Sequence, residues 1–80
     1  MRPLYSMHSQ RRMQEMDVPF EEVRAVLDDP VTTYPGSPEY GDGRRVLVGG
    51  RLAVVIEDAT NVVLTVLWNR RLGRQGGEAA

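Results

Sequence analysis

One histidine, ten arginines and no lysine make up the chemistry-bearing cations of this chain. The first two of interest stand four residues apart, as His8-x-x-x-Arg12. On a helix that spacing puts both side chains on one face. Histidine is the side-chain type that takes and returns protons near neutrality, and the planar guanidinium fork of arginine holds a phosphate through paired donors. Metal-independent RNA cleavage needs these functions. A group must accept the 2′-hydroxyl proton, the departing 5′-oxygen must be protonated, and cations must surround a phosphorus that gathers negative charge. His8 and Arg12 are therefore candidate catalytic groups. Glu57, the one carboxylate inside a β-prone run, is the candidate sheet-borne base. Arg11, Arg44 and Arg45 are candidate phosphate contacts, and Trp68, followed by Asn69-Arg70-Arg71, is a candidate platform for a base.

Each of these residues has a plainer reading. Arg12 can pair with Glu15, Arg44 and Arg45 can be solvated strand residues that discourage aggregation, and Glu57 beside Asp58 can be polarity before a turn. Trp68 can be a core residue next to a basic tail. The all-arginine usage follows from a GC-rich coding sequence, which does not account for the clustering of charge. Residues 1–16 carry a net +2 and residues 17–43 a net −6. Arg44, Arg45 and Arg51 then restore positive charge ahead of Glu57 and Asp58. The basic segments are expected to share one surface, with an acidic helix behind them.

These residues must be positioned by one domain, because 80 residues suffice for a single core and not for two. The expected boundaries are a domain over 1–70 and a disordered tail over 71–80, rich in Gly and small or charged residues. The chain has no cysteine, which excludes disulfides, thiolate metal sites and cysteine nucleophiles. One histidine among scattered carboxylates is no metal signature, so neither metal nor other cofactor is expected. Gly41-x-Gly43 and Gly49-Gly50 do not lead from a strand into a helix and so form no phosphate loop. Nothing resembles a membrane span or a secretory leader, and the expected location is the cytoplasm.

Ser6 is placed to cap a first helix over Met7 to Met16, whose apolar stripe is thin: Met13 and Met16, with Met7 or Tyr5 behind. Asp17-Val18-Pro19 breaks the chain. Phe20, Val23, Val26 and Leu27 then recur at helical spacing, with Glu21, Glu22, Arg24 and Asp28 opposite, until Pro30. Val31 to Tyr34 is a weak strand, and Pro35 to Gly43 a long loop. Arg45 to Val48 and Arg51 to Glu57 flank Gly49-Gly50 as a tight hairpin, and a turn at 58–61 leads into Val62 to Trp68. The expected fold is α+β: two N-terminal helices packed on a curled antiparallel sheet of three to four strands, in the order α-α-β-β-β-β. Both faces of the last two strands are apolar, which implies either a cover or a partner, with a homodimer among the options.

The run His8-x-x-x-Arg12-Met13-x-Glu15, the acidic helix ending in Asp28-Asp29-Pro30, and the closing Gly49-Gly50-Arg51-Leu52-Ala53-Val54-Val55 and Val63-Leu64-Thr65-Val66 resemble the small bacterial and phage family known as domain of unknown function four-two-five-eight. The likeness covers roughly residues 5–68. It adds Thr65 to the candidate contacts, because Thr65 falls in the family's closing Val-Thr-Val strand. Two positions depart from the family: Met16 stands where a second Arg is common, and Asp17 where Gly is common. In shape that family is similar to the RelE, ParE and BrnT toxins, some of which cut RNA without a metal while others bind a host protein.

Two functions follow as expectations. One is a toxin-like, mRNA-interferase-like ribonuclease of a toxin–antitoxin or phage system, with RNA as substrate and a cognate antitoxin as partner. The other is a non-enzymatic domain that binds a host protein through its sheet face and the 35–43 loop. A general nucleic-acid-binding domain is disfavoured by the net charge of −1.

Overall fold

The computed structural model describes residues 4–35 and 43–69. The element order is β1 (Leu4–Tyr5), α1 (Met7–Met16), α2 (Phe20–Asp28), β2 (Thr32–Pro35), β3 (Arg44–Gly49), β4 (Leu52–Glu57) and β5 (Val62–Trp68). The five strands form one sheet in the order β1-β5-β4-β3-β2. The α+β class and the two helices agree with the sequence reading. The strand count and purely antiparallel character do not. Leu4 and Tyr5 pair in parallel with Val62 and Val63, which makes the sheet mixed and five-stranded. Two residues carry no periodicity, so this strand is specified by its partner and not by its own sequence.

Strands β2 to β5 form an antiparallel meander, with Arg44 opposite Glu57, Val46 opposite Val55 and Gly49 opposite Leu52. Gly50 has φ 54°, supplying the left-handed backbone that a two-residue hairpin loop requires at this position. Between β4 and β5 the register slips. Val55 faces Thr65 and Ile56 faces Val63, so Leu64 is the extra residue of a bulge.

The bulge matters for α1. β1 covers only the first two residues of β5, and beyond them α1 takes over that edge. Ser6 N–H donates to the Val63 carbonyl (3.0 Å) and Ser6 Oγ to the Leu64 carbonyl (3.0 Å), while Arg12 Nε donates to the Val66 carbonyl (3.4 Å). Ser6 is also the N-cap, accepting from the Ser9 N–H at 3.0 Å. Ser9 is fully buried and satisfied by the Ser6 carbonyl at 2.8 Å. Helix α1 is thus held by side chain to strand contacts as well as by its thin apolar stripe.

The main core lies between helices and sheet. Met13, Met16 and Val18 from the α1 segment and Val23 and Val26 from α2 meet Leu47, Leu52, Val54, Ile56, Val63 and Val66, with Tyr5 and Leu27 at the margin. Phe20 and Met7 depart from expectation: they are 51% and 82% exposed. Phe20 instead meets Tyr5 edge-on, ring centres 4.8 Å apart. On the opposite face, Val46, Val48, Ala53 and Val55 are buried and joined by Leu64 and Leu67, with no helical residue among them. The expected 35–43 loop, apart from Pro35 and Gly43, and the tail over 71–80 lie outside the described residues. No helix among the described residues is long and apolar enough to cross a membrane.

Helix α1 ends at Asp17 in the left-handed region (φ 57°, ψ 47°). The Val18 N–H reaches the Met13 carbonyl at 2.9 Å, closing the wide turn that typically ends on glycine. A side chain at this position is strained, and a carboxylate at a helix C-terminus meets the negative end of the dipole. Asp17→Gly is therefore expected to stabilise the domain by ~1 kcal/mol, raising its melting temperature by roughly 4–8 °C in a thermal scan. An unchanged or lowered midpoint would refute the strain.

Candidate functional site

The described residues contain six arginines, and five of them are neutralised. Arg12 pairs with Glu15 (3.3 Å), Arg24 with Asp28 (3.8 Å), Arg44 with Glu57 (3.1 Å), Arg45 with Asp58 (2.9 Å) and Arg51 with Glu22 (2.6 Å). Arg11 is the sixth, and it has no carboxylate partner among the described residues. It lies three residues after His8, and both are exposed on the outer side of α1. With Met7, Gln10 and Gln14 they line one shallow depression. Ser9, Met13 and Met16 face the core, which turns Arg11 fully outward, leaves His8 on the flank and puts Arg12 half-buried toward β5.

Arg12 shares a helix face with His8, as the spacing implied, but its donors are occupied. Nε serves the edge of β5 and Nη1 serves Glu15 at 3.3 Å. Its part here is to position α1. Glu57 is not brought to His8. Val55 faces the helix-free side and Ile56 the core, so Glu57 points away from the helices. There it accepts from Thr60 Oγ1 (2.7 Å) and Arg44 Nη1 (3.1 Å). These contacts, Thr60 first and Arg44 second, hold its carboxyl below the usual carboxylate range. Arg44 and Thr65 share that helix-free face, Thr65 lying opposite Val55. Arg45, directly opposite Ile56, lies on the helix side with Asp58. These candidates are thus divided between the two sides of the sheet: His8 and Arg11, with Arg12 at the β5 edge and Arg45 beside Asp58, on the helix side, and Glu57 with Arg44 and Thr65 on the other.

Trp68 has a third setting. Its ring carries the Arg51 guanidinium 5.1 Å from its centre, and the same guanidinium grips Glu22 of α2 through Nε (2.6 Å) and Nη2 (2.8 Å). One arginine thereby ties the β3–β4 turn to both α2 and the end of β5. Sequence reading did not single out Arg51 for this role. The available signal was an arginine following a two-glycine turn, with an aromatic one strand later.

The Arg51 hydrogen bonds hold the Glu22 carboxyl below its ordinary value near 4.5. A depressed folded value contributes stability above the unfolded value, and that contribution disappears as pH falls through the folded one. Wild type is thus expected to lose stability on going from about pH 5 to about pH 3, and Glu22→Gln to lose distinctly less over the same window. Urea midpoints at the two ends measure this, and parallel losses would exclude Glu22 as a contributor.

Among the described residues no group of three or more His, Asp or Glu is placed to hold a metal ion. No family model matches the chain, and neither a curated protein nor a solved structure is found to be similar to it.

Proposed function

We propose that the chain is a small toxin-like protein acting on RNA as a metal-independent ribonuclease, RelE-like in architecture, through the outer face of α1. The observation that supports this most is the His8–Arg11 pair: among the described residues, the arginine left without a carboxylate lies one turn from the sole histidine. A phosphodiester is the ligand that this combination suits. Arg11 offers paired donors to the non-bridging oxygens, while His8 takes the 2′-hydroxyl proton as O2′ attacks phosphorus. The P–O5′ bond breaks, leaving a 2′,3′-cyclic phosphate; the 5′-oxygen is protonated from solvent and His8 returns its proton there. A helix pair packed on one face of a five-stranded mixed sheet is in keeping with the toxin shape that the sequence resemblance implies. A cognate antitoxin, a homodimeric state and a cytoplasmic location belong to the same proposal.

The test is induction of wild type, His8→Ala and Arg11→Ala in a bacterial host, with growth and total-RNA integrity followed together. RNA fragmentation by wild type alone is expected. Growth arrest with intact RNA would overturn the ribonuclease and favour the second reading, a binder of a host protein. That reading has its own observation: the apolar cluster of Val46, Val48, Ala53 and Val55 on the sheet face opposite the helices.

A further inference from the structure

The depression that holds His8 and Arg11 shares a wall with a second one. Gln10 and Gln14 line both, and the second continues over Asp17, Pro19 and Phe20 at the turn between α1 and α2. Its conspicuous feature is the Phe20 ring, half-exposed although it occupies a helix position that the sequence periodicity assigns to the core. The edge-on contact with Tyr5 fixes that ring in place. Gln10 is also fixed, its Nε2 donating to the Tyr5 carbonyl at 3.1 Å, which leaves its Oε1 to accept.

We propose that this groove is a nucleobase subsite that receives one unstacked base of a single-stranded RNA whose phosphate sits at His8 and Arg11. The proposal rests on the phosphate reading of α1 given above. Three observations carry it. A held, half-exposed aromatic ring is the platform on which an unstacked base lies, since every base offers a π-face. The side-chain amides of Gln10 and Gln14 line both depressions, which places two hydrogen-bonding groups between the cationic pair and the ring. Charge then fixes the direction. Asp17 lines the groove at the turn between the helices, and its negative charge disfavours a second phosphate at that end. The phosphate therefore goes to the His8 end and the base to the Phe20 end. A duplex keeps its bases stacked and cannot present one in this way.

The experiment uses the full chain and three labelled, uncleavable 2′-O-methyl RNA probes: a single-stranded pentanucleotide, the same pentanucleotide with its central base removed, and a hairpin duplex. Wild type is expected to bind the intact single strand most tightly. Phe20→Ala is expected to weaken that probe about tenfold, in line with the loss of one base–aromatic stack, while leaving the abasic probe unchanged. Phe20→Leu, which keeps apolar contact with Tyr5, guards against misfolding and should also lose most of the discrimination. Gln14→Glu, an exposed change on the shared wall, should weaken all three probes. If Arg11→Ala weakens the intact probe but Phe20→Ala and Phe20→Leu bind intact and abasic strands as wild type does, the base subsite falls and the phosphate reading stands. If Arg11→Ala binds as well as wild type, or wild type binds none of the probes and a host protein instead, the phosphate reading falls and the subsite with it.

Discussion

His8→Ala is expected to reduce RNA cleavage by the purified protein by ~10²–10⁴-fold, the usual contribution of a positioned acid–base group. Its urea midpoint should stay at the wild-type value. The separation of these two outcomes follows from the position of His8. It is exposed on the flank of α1, and the described residues give it neither hydrogen bond nor ion pair, so its removal opens no cavity and strands no partner. Arg11→Ala should act differently, weakening substrate binding while leaving the rate at saturation less affected, because its guanidinium meets the phosphate before and during the reaction. Glu57→Gln is the informative contrast. Its carboxylate is held by Thr60 and Arg44 on the helix-free face, and cleavage is expected to persist. If Glu57→Gln abolished cleavage and His8→Ala did not, the active face would be the sheet and not α1.

What sequence could convey here follows from which features are local. The 3.6-residue recurrence of Val23, Val26 and Leu27 and the serine before Met7 encode α2 and the start of α1, because both depend on neighbours within four residues. Gly49-Gly50 encodes the hairpin for the same reason. The partners of the arginines are a different matter. Arg44 meets Glu57 and Arg45 meets Asp58 only because β3 and β4 pair in one register, and a shift of one residue would move every side chain to the other face. The clustering of charge in the sequence was therefore legible as a basic surface, whereas the structure spends most of it on carboxylates across the sheet or helix. Arg12 shows the same limit. Its i+4 spacing from His8 was correct as helical geometry, but its engagement by the Val66 carbonyl depends on a bulge at Leu64 that no local pattern marks. Phe20 is the converse case. Its spacing fits the α2 stripe, yet it begins the helix, where the chain still passes over the edge of the core, and its ring leans on Tyr5.

Leu52→Ala is expected to be the most damaging single truncation, costing roughly 2–5 kcal/mol in urea unfolding. Leu52 is fully buried and begins β4 directly after the turn. Its strand neighbours are Gly49 on one side and Trp68 on the other. Gly49 has no side chain to move into the space, and Val26 already lies 3.5 Å from where a Cβ on Gly49 would stand. A cavity there cannot be filled by the neighbour across β3, which places the cost toward the upper part of the range. For a domain of 80 residues, total stability is on the order of 4–12 kcal/mol, so this one loss can leave an appreciable unfolded fraction at ambient temperature. Arg51→Ala, at the adjacent position, provides the scale. It removes an exposed ion pair and a cation–π contact and opens no cavity, so its cost should be the smaller of the two. The order Leu52→Ala well below Arg51→Ala, measured by midpoint at unchanged m-value, is what a hairpin held mainly by burial requires. The reverse order would mean that the Glu22–Arg51–Trp68 tie, and not the buried leucine, fixes the β3–β4 turn against α2 and the end of β5.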